Sequence, residues 1–192
     1  MTDRVCLPEV CQSQIGGDNR PARARARRLR RWAIAASLLA LALCVTIAFP
    51  PGPRLVWNVS ASAPIGLYTI GGRGGIERGD MVLAKVSGRW RTLAARRRYI
   101  PANVPLVKRV AAVSGDSVCA QGREVFVNGR RVAERRGHDG MGRAMPRWKG
   151  CTILRDGALL LLMDDPASFD GRYFGPTASG DIIGKARLLW AR

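Results

Sequence analysis

Carboxylates and imidazole are both in short supply. Over 192 residues, 14 Asp and Glu stand against 32 Lys and Arg, and His138 is the only histidine. With one histidine and no cysteine pair at zinc-finger spacing, no metal is expected. A serine hydrolase built on an imidazole base would have to use His138, which lies between Gly137 and Asp139-Gly140 in a stretch without strand periodicity. Lysine is rare too: the basic residues are overwhelmingly arginine, and only Lys85, Lys108, Lys149 and Lys185 break the pattern, so the setting of each is informative. Beyond residue 53 there is no long apolar stripe at helical spacing and no internal repeat, so that part is read neither as helical nor as repetitive. A chain of this length holds one modest domain with extras.

A formal charge of +18 ordinarily points to nucleic acid or to an anionic membrane surface, and its distribution decides between them. Residues 1–31 hold a cluster of arginines, from Arg20 to Arg31, against Asp3, Glu9 and Asp18. Residues 32–49 follow without a single charge. At about 1.5 Å per residue, a helix of that length just crosses a hydrocarbon core of roughly 30 Å, with Trp32 and Phe49 near the interfaces. A cleavable secretory signal shares the basic-then-apolar signature, but this stretch exceeds a usual signal core and runs into Pro50-Pro51-Gly52-Pro53 without a small-x-small site. It is read as an uncleaved transmembrane anchor. The positive-inside rule then makes 1–31 a cytoplasmic leader and puts 50–192 outside the cytoplasm, with membrane lipid rather than nucleic acid as the partner of the arginine run. Cys6 and Cys11 fall in the leader and Cys44 in the span, which leaves Cys119 and Cys151 in an oxidising compartment. Two thiols there suggest one disulfide, tying the strand after the Lys108 box to the one entering the apolar run 158–163, with two free thiols as the alternative.

The exported part reads as mainly β, in short runs punctuated by Gly and Asp. Strands are expected at 81–86 after the Arg78-Gly79-Asp80 turn, at 106–113 before Gly115-Asp116, and at 124–127 and 130–133. The last two flank Asn128-Gly129, a pair that accepts the two positive φ angles of a type I′ hairpin. The continuous apolar run 158–163 fits a strand buried on both faces, and 182–190 a final strand. Only 91–98 looks briefly helical, and 133–150 is expected to be a surface excursion.

A lysine can replace histidine as a base when burial disfavours its ammonium form. Of the four, Lys108 has the most apolar setting, Pro105-Leu106-Val107-Lys108-Arg109-Val110-Ala111-Ala112-Val113. On its own this is equally a strand lysine reaching for solvent. Likewise Asn58-Val59-Ser60-Ala61-Ser62-Ala63-Pro64-Ile65-Gly66-Leu67-Tyr68 offers uncrowded hydroxyls on a turn fixed by Pro64 and Gly66, and alone it reads as a linker. Together, over 54–192 and in order, the segments resemble the type I signal peptidases, and most closely their TraF-type conjugative transfer members. Ser60-Ala61-Ser62-Ala63-Pro64 is similar to the nucleophile box, Glu77-Arg78-Gly79-Asp80 to the Gly-Asp box, Val107-Lys108-Arg109-Val110 to the lysine box, and Ser168-Phe169-Asp170-Gly171-Arg172-Tyr173 to the last box. Gly171 stands where the family usually has serine, and Ser114 where it often has proline.

The resemblance implies a fold of coiled antiparallel sheets after one transmembrane helix, with Ser62 as nucleophile and Lys108 as general base. It implies an oxyanion hole from the Ser62 N–H and the Ser60 hydroxyl, Ser168 orienting the lysine, and Asp170 with Arg172 as a supporting ion pair. It also implies no metal or organic cofactor, and an exported, membrane-tethered precursor as substrate, cut after a small residue, with a pilin of a conjugation or secretion apparatus as the particular expectation at a bacterial inner membrane. Two rivals are a soluble autoprotease of the LexA-like kind, which normally carries a DNA-binding domain absent from this chain, and a non-catalytic membrane-anchored scaffold. The orientation is checked by reporter fusion after Arg192. A reporter that works only in the periplasm should be active there, and one that works only in the cytoplasm should be silent.

Overall fold

The computed structural model describes residues 20–48, 52 and 54–192. Cys6, Cys11 and most of the leader, together with Phe49, Pro50, Pro51 and Pro53, lie outside the described residues. The chain divides into an N-terminal unit reaching Pro51 and a larger unit, Gly52–Arg192.

Among the described residues the first unit contains one helix, α1 (Arg20–Ala48), of which Arg25–Ala48 is long and apolar enough to cross a membrane. It starts well before residue 32, where the charge-free stretch begins. Pro21 suits a first turn, and the alternating Ala and Arg that follow are both strong helix formers, so the basic run continues the helix instead of preceding it.

The second unit is built from antiparallel strands: β1 (Leu55–Asn58), β2 (Gly66–Ile70), β3 (Met81–Ala84), β4 (Leu106–Ala112), β5 (Ser117–Gln121), β6 (Glu124–Val127), β7 (Arg130–Glu134), β8 (Gly150–Ile153), β9 (Leu160–Leu162) and β10 (Ile182–Ala191). They form a six-stranded sheet in the order β1-β2-β10-β3-β4-β9 and a four-stranded sheet in the order β7-β6-β5-β8. Two short helices accompany them, α2 (Gly88–Arg96) and α3 (Gly171–Phe174). Asn128 and Gly129 have φ of 50° and 77°, and Val127 pairs with Arg130, so this is a two-residue hairpin of the kind the sequence suggests.

Differences from the sequence reading have local causes. β1 and β2 flank the Ser-rich turn, and four or five residues with one glycine are too few to show a period. β8 is exposed at all four positions, so no alternation marks it. Of the run 158–163 only three residues pair in the sheet, because Leu159 bridges to Thr177 instead. α2 starts at Gly88 rather than 91 and stops before Arg98, which takes a left-handed φ of 59°.

Two apolar clusters serve the six-stranded sheet: Ala63, Tyr68, Leu83, Val107, Met163 and Ala186 in one, Val82, Ala84, Val110, Leu159, Leu161 and Ile182 in the other. β4 contributes Val107 to the first and Val110 to the second, as its pleat requires. A third cluster, including Ala112, Val118, Val125, Leu154 and Leu160, lies where β4 and β9 meet the four-stranded sheet.

Cys119 and Cys151 are directly opposite in register on β5 and β8, with their sulfurs bonded. The bridge is thus internal to the four-stranded sheet and joins β5, the strand after β4, to β8, the strand that leads into 158–163. With the cysteines 32 positions apart in sequence, chain-entropy arguments give about 3–4 kcal/mol of stabilisation. We expect Cys119→Ala with Cys151→Ala to lower the urea-unfolding stability of the detergent-solubilised protein by about that much, and neither thiol of the untreated protein to alkylate without a reductant.

Candidate active site

β4 lies between β3 and β9, with Val82 opposite Lys108 in the neighbouring strand. A lysine in such a strand lacks a route to water, and Lys108 is only 2% exposed. Its Nζ donates to Ser62 Oγ at 2.9 Å and to Ser168 Oγ at 2.7 Å. Burial pushes its pKa down from the ordinary lysine value to about 8, with the Asp170 carboxylate opposing and the Arg172 guanidinium assisting.

Ser62 sits on the turn joining β1 to β2, and a set of hydrogen bonds fixes that turn. Asn58 Nδ2 donates to the carbonyls of Ser60, Ala63 and Pro64 at 3.0, 3.2 and 3.0 Å, while Asn58 Oδ1 accepts from Ser60 N at 3.1 Å. Tyr68 Oη donates to Pro64 O at 2.9 Å, and buried Ala63 packs with Tyr68 and Val107. Ser60 Oγ lies 2.9 Å from Ser62 Oγ and accepts from Ser62 N at 3.4 Å. The hydroxyl of Ser60, the N–H of Ser62 and the candidate nucleophile therefore share one small space.

Ser168 is buried just ahead of α3. Asp170 and Arg172 are 0% and 2% exposed, pairing through Nε–Oδ1 at 2.8 Å and Nη2–Oδ2 at 3.0 Å. Asp170 also accepts from the Met163 and Arg172 amides, and Arg172 donates to the Met163 carbonyl. The pair fastens α3 to the end of β9 and so holds Ser168 against the lysine. Between its members, Gly171 has no room for a side chain: a Cβ there would meet Leu161 O at 2.7 Å and Leu160 Cδ1 at 2.9 Å. A serine at this position would require the helix to stand further from β9.

Of the residues singled out from sequence, Ser60, Ser62, Lys108 and Ser168 come together, Asp170 and Arg172 stand directly behind them, and Cys119 and Cys151 lie in the other sheet. His138 is exposed and lines the same cleft as Ser62, but among the described residues it makes no hydrogen bond to the serine. Asn58 has the largest hold on the turn and was not distinguished by sequence; its position beside the Ser-rich box is the only signal it gives. The Gly-Asp boxes are structural, since Arg78 pairs with Asp116, keeping that carboxyl down at about 2, and Asp80 pairs with Lys185 at 2.6 Å. The cleft over Ser62 measures about 250 Å³ and a second, more apolar one of about 330 Å³ lies on the Lys108 side.

Removing one partner of a buried ion pair strands the other, which typically costs about 3–5 kcal/mol. Arg172→Ala is therefore expected to lower unfolding stability by that order, measured in denaturant, and by more than Arg109→Ala, whose partner Asp164 is exposed.

The family described as "Signal peptidase, peptidase S26" matches residues 27–191. A plasmid transfer protein TraF of Escherichia coli is 38% identical over 91 residues, 44% of this chain, an alignment that spans about half, 51%, of that relative. Another Escherichia coli plasmid transfer protein TraF is 32% identical over 168 residues, covering 81% of this chain and 92% of the relative. The conjugal transfer protein TraF of Agrobacterium fabrum strain C58 is 30% identical over 143 residues, 69% of this chain and 80% of its own. Among solved structures, a signal peptidase I from Enterococcus faecalis V583 aligns with 59% of this chain and 97% of its own, at 18% identity and a TM-score of 0.34. With the family profile running through both the apolar helix and the strands that carry the Ser62 and Lys108 boxes, the chain belongs to the S26 signal peptidase family.

Proposed function

We propose that this chain is a membrane-anchored serine endopeptidase that cleaves exported, membrane-tethered precursors after small residues, with Ser62 as nucleophile and Lys108 as general base. The observation that carries this reading is the 2.9 Å contact between Lys108 Nζ and Ser62 Oγ with the lysine 2% exposed. A lysine with a pKa near 8 is partly neutral at working pH, and a neutral amine is a competent base.

In the reaction, Ser62 Oγ attacks the scissile carbonyl carbon as its proton passes to Lys108 Nζ. The tetrahedral oxyanion is met by the Ser62 N–H and by the Ser60 hydroxyl, which turns from Ser62 Oγ to the substrate oxygen; each such donor commonly lowers the barrier by several kcal/mol. The intermediate collapses to an acyl-enzyme while the ammonium returns its proton to the leaving amine. Water then attacks the ester, again losing a proton to Lys108, and Ser62 is released. Ser168 keeps the amine aimed throughout. The apolar helix α1 serves as the anchor, with the catalytic unit on the periplasmic side of a bacterial inner membrane. The names of the TraF relatives, plasmid transfer and conjugal transfer proteins, favour a precursor from a conjugative transfer apparatus, such as a pilin.

Ser62→Ala and Lys108→Ala should each reduce cleavage of a membrane-anchored precursor by several orders of magnitude, and Lys108→Arg should fail too, since a guanidinium keeps its proton. His138→Ala should retain turnover. Processing by Ser62→Ala would leave a scaffold as the better description. Wild-type turnover should rise with pH through an apparent pKa near 8. The unfolded chain binds the Lys108 proton more tightly than the folded protein, so stability should also rise between about pH 8 and 10.5. Lys108→Met should flatten that rise and raise Tm at pH 7.

A further inference from the structure

The excursion between β7 and β8 has no strand pattern in the sequence, yet it is fastened at one point with unusual density. Asp139 accepts hydrogen bonds from the amides of Met141 and Arg143, both at 2.9 Å, from Arg143 Nε at 2.7 Å and from Tyr99 Oη. Its side chain is 8% exposed, and the Tyr99 hydrogen bond, with those from Arg143 and Met141, holds the carboxyl well below its usual range, so it is ionised wherever the protein is folded. Two further bonds staple the same segments: Arg97 Nη1 donates to Ala144 O at 2.9 Å and Arg143 Nη2 to Arg97 O at 3.3 Å. The residue this arrangement immobilises is Tyr99, just past α2.

Tyr99 is placed where its immobility matters. Its ring lies 5.2 Å from that of Phe169, the residue after the Ser168 that accepts from Lys108. Tyr99 and Phe169 together line both the cleft containing Ser62 and the apolar cleft containing Val56, Val107 and Lys108. The aromatic pair is thus the wall between two clefts that would otherwise join beside the reacting serine. A wall made by a tyrosine whose hydroxyl is anchored by a carboxylate cannot swing aside as a free ring could, since a charge-assisted hydrogen bond is about twice as strong as a neutral one.

Resting on the peptidase reading above, we propose that Tyr99, clamped by Asp139, is a specificity-determining residue: it fixes the wall between the two clefts and so caps the size of the precursor side chain admitted next to the cut. The excursion 133–150 is then a recognition element, holding from behind a ring contributed by another segment.

The test uses the full-length protein in detergent and a membrane-anchored precursor carrying Ala, Leu or Phe in turn at each of the four positions before the cut. Wild-type protein should favour Ala over Phe at the position facing the wall. Tyr99→Ala should shrink that preference in kcat/KM by about tenfold, the scale on which a pocket discriminates by size. Tyr99→Phe and Asp139→Asn, which keep the ring but release it, should shrink it less and by similar factors. Should Tyr99→Ala not fold, Phe169→Leu trims the other half of the wall and must relax the same preference. If these variants lower cleavage of every precursor by one common factor, leaving the Ala-to-Phe ratio unchanged, the ring is only a structural prop and the inference is overturned. If wild-type protein cleaves none of the precursors, the peptidase reading falls and takes this one with it, a result distinct from cleavage with an unaltered ratio.

Discussion

A lysine amine taken out of water is the constraint around which the larger unit is arranged. Solvation of an ammonium group is worth so much that burying it unpaired shifts its proton equilibrium before it is tolerated. Everything that touches Lys108 bears on that balance. The β3 and β9 strands on either side deny it water, the hydroxyls of Ser62 and Ser168 satisfy its hydrogens without supplying charge, and the carboxylate that does most to re-stabilise the cation, Asp170, is already committed to Arg172. A free Asp170 would hold Lys108 charged more strongly. The buried ion pair behind the site thus occupies a counter-ion as well as fastening α3.

The serine side solves a different problem. A nucleophile must be presented on irregular backbone, yet held to fractions of an ångström. Asn58, at the last position of β1, does this with one side chain that spans the turn and caps three carbonyls. Rigidity comes from polar bonds within the turn, while Ala63 gives it a single apolar foothold on the core. The turn can therefore stay open to a substrate on one face without losing its shape.

Much of this was readable before any coordinates, and the boundary of what was readable is physical. Strands with strong β composition or a dedicated turn, such as β4, β6, β7 and β10, announce themselves, as does the Asn128-Gly129 hairpin. Strands that are short, exposed or interrupted by glycine do not, which is why β1, β2 and β8 carried no clear signal. For the site, chemistry-bearing residue types were legible from scarcity: a chain with four lysines and one histidine narrows the choice of base by itself. Residues that act by position were not. Asn58 looks like any linker asparagine, and Asp139 and Tyr99 lie 40 residues apart with nothing in either segment to indicate the other. That Gly171 must lack a side chain depends on how closely α3 approaches β9, a distance no local pattern encodes.

The strand order of the six-stranded sheet has a consequence in time. β10, which follows all the other described strands in the chain, lies between β2 and β3, so the hairpin that presents Ser62 and the strand that presents Lys108 are joined through a segment far downstream of both. A polypeptide emerging from its site of synthesis can form β1 with β2, and β3 with β4, as separate hairpins, but nothing brings the two into register until β10 slides between them. Serine and lysine cannot meet before then. The contact between Ser62 and Lys108 is therefore a late product of folding, made only after a segment far downstream of both has joined the sheet.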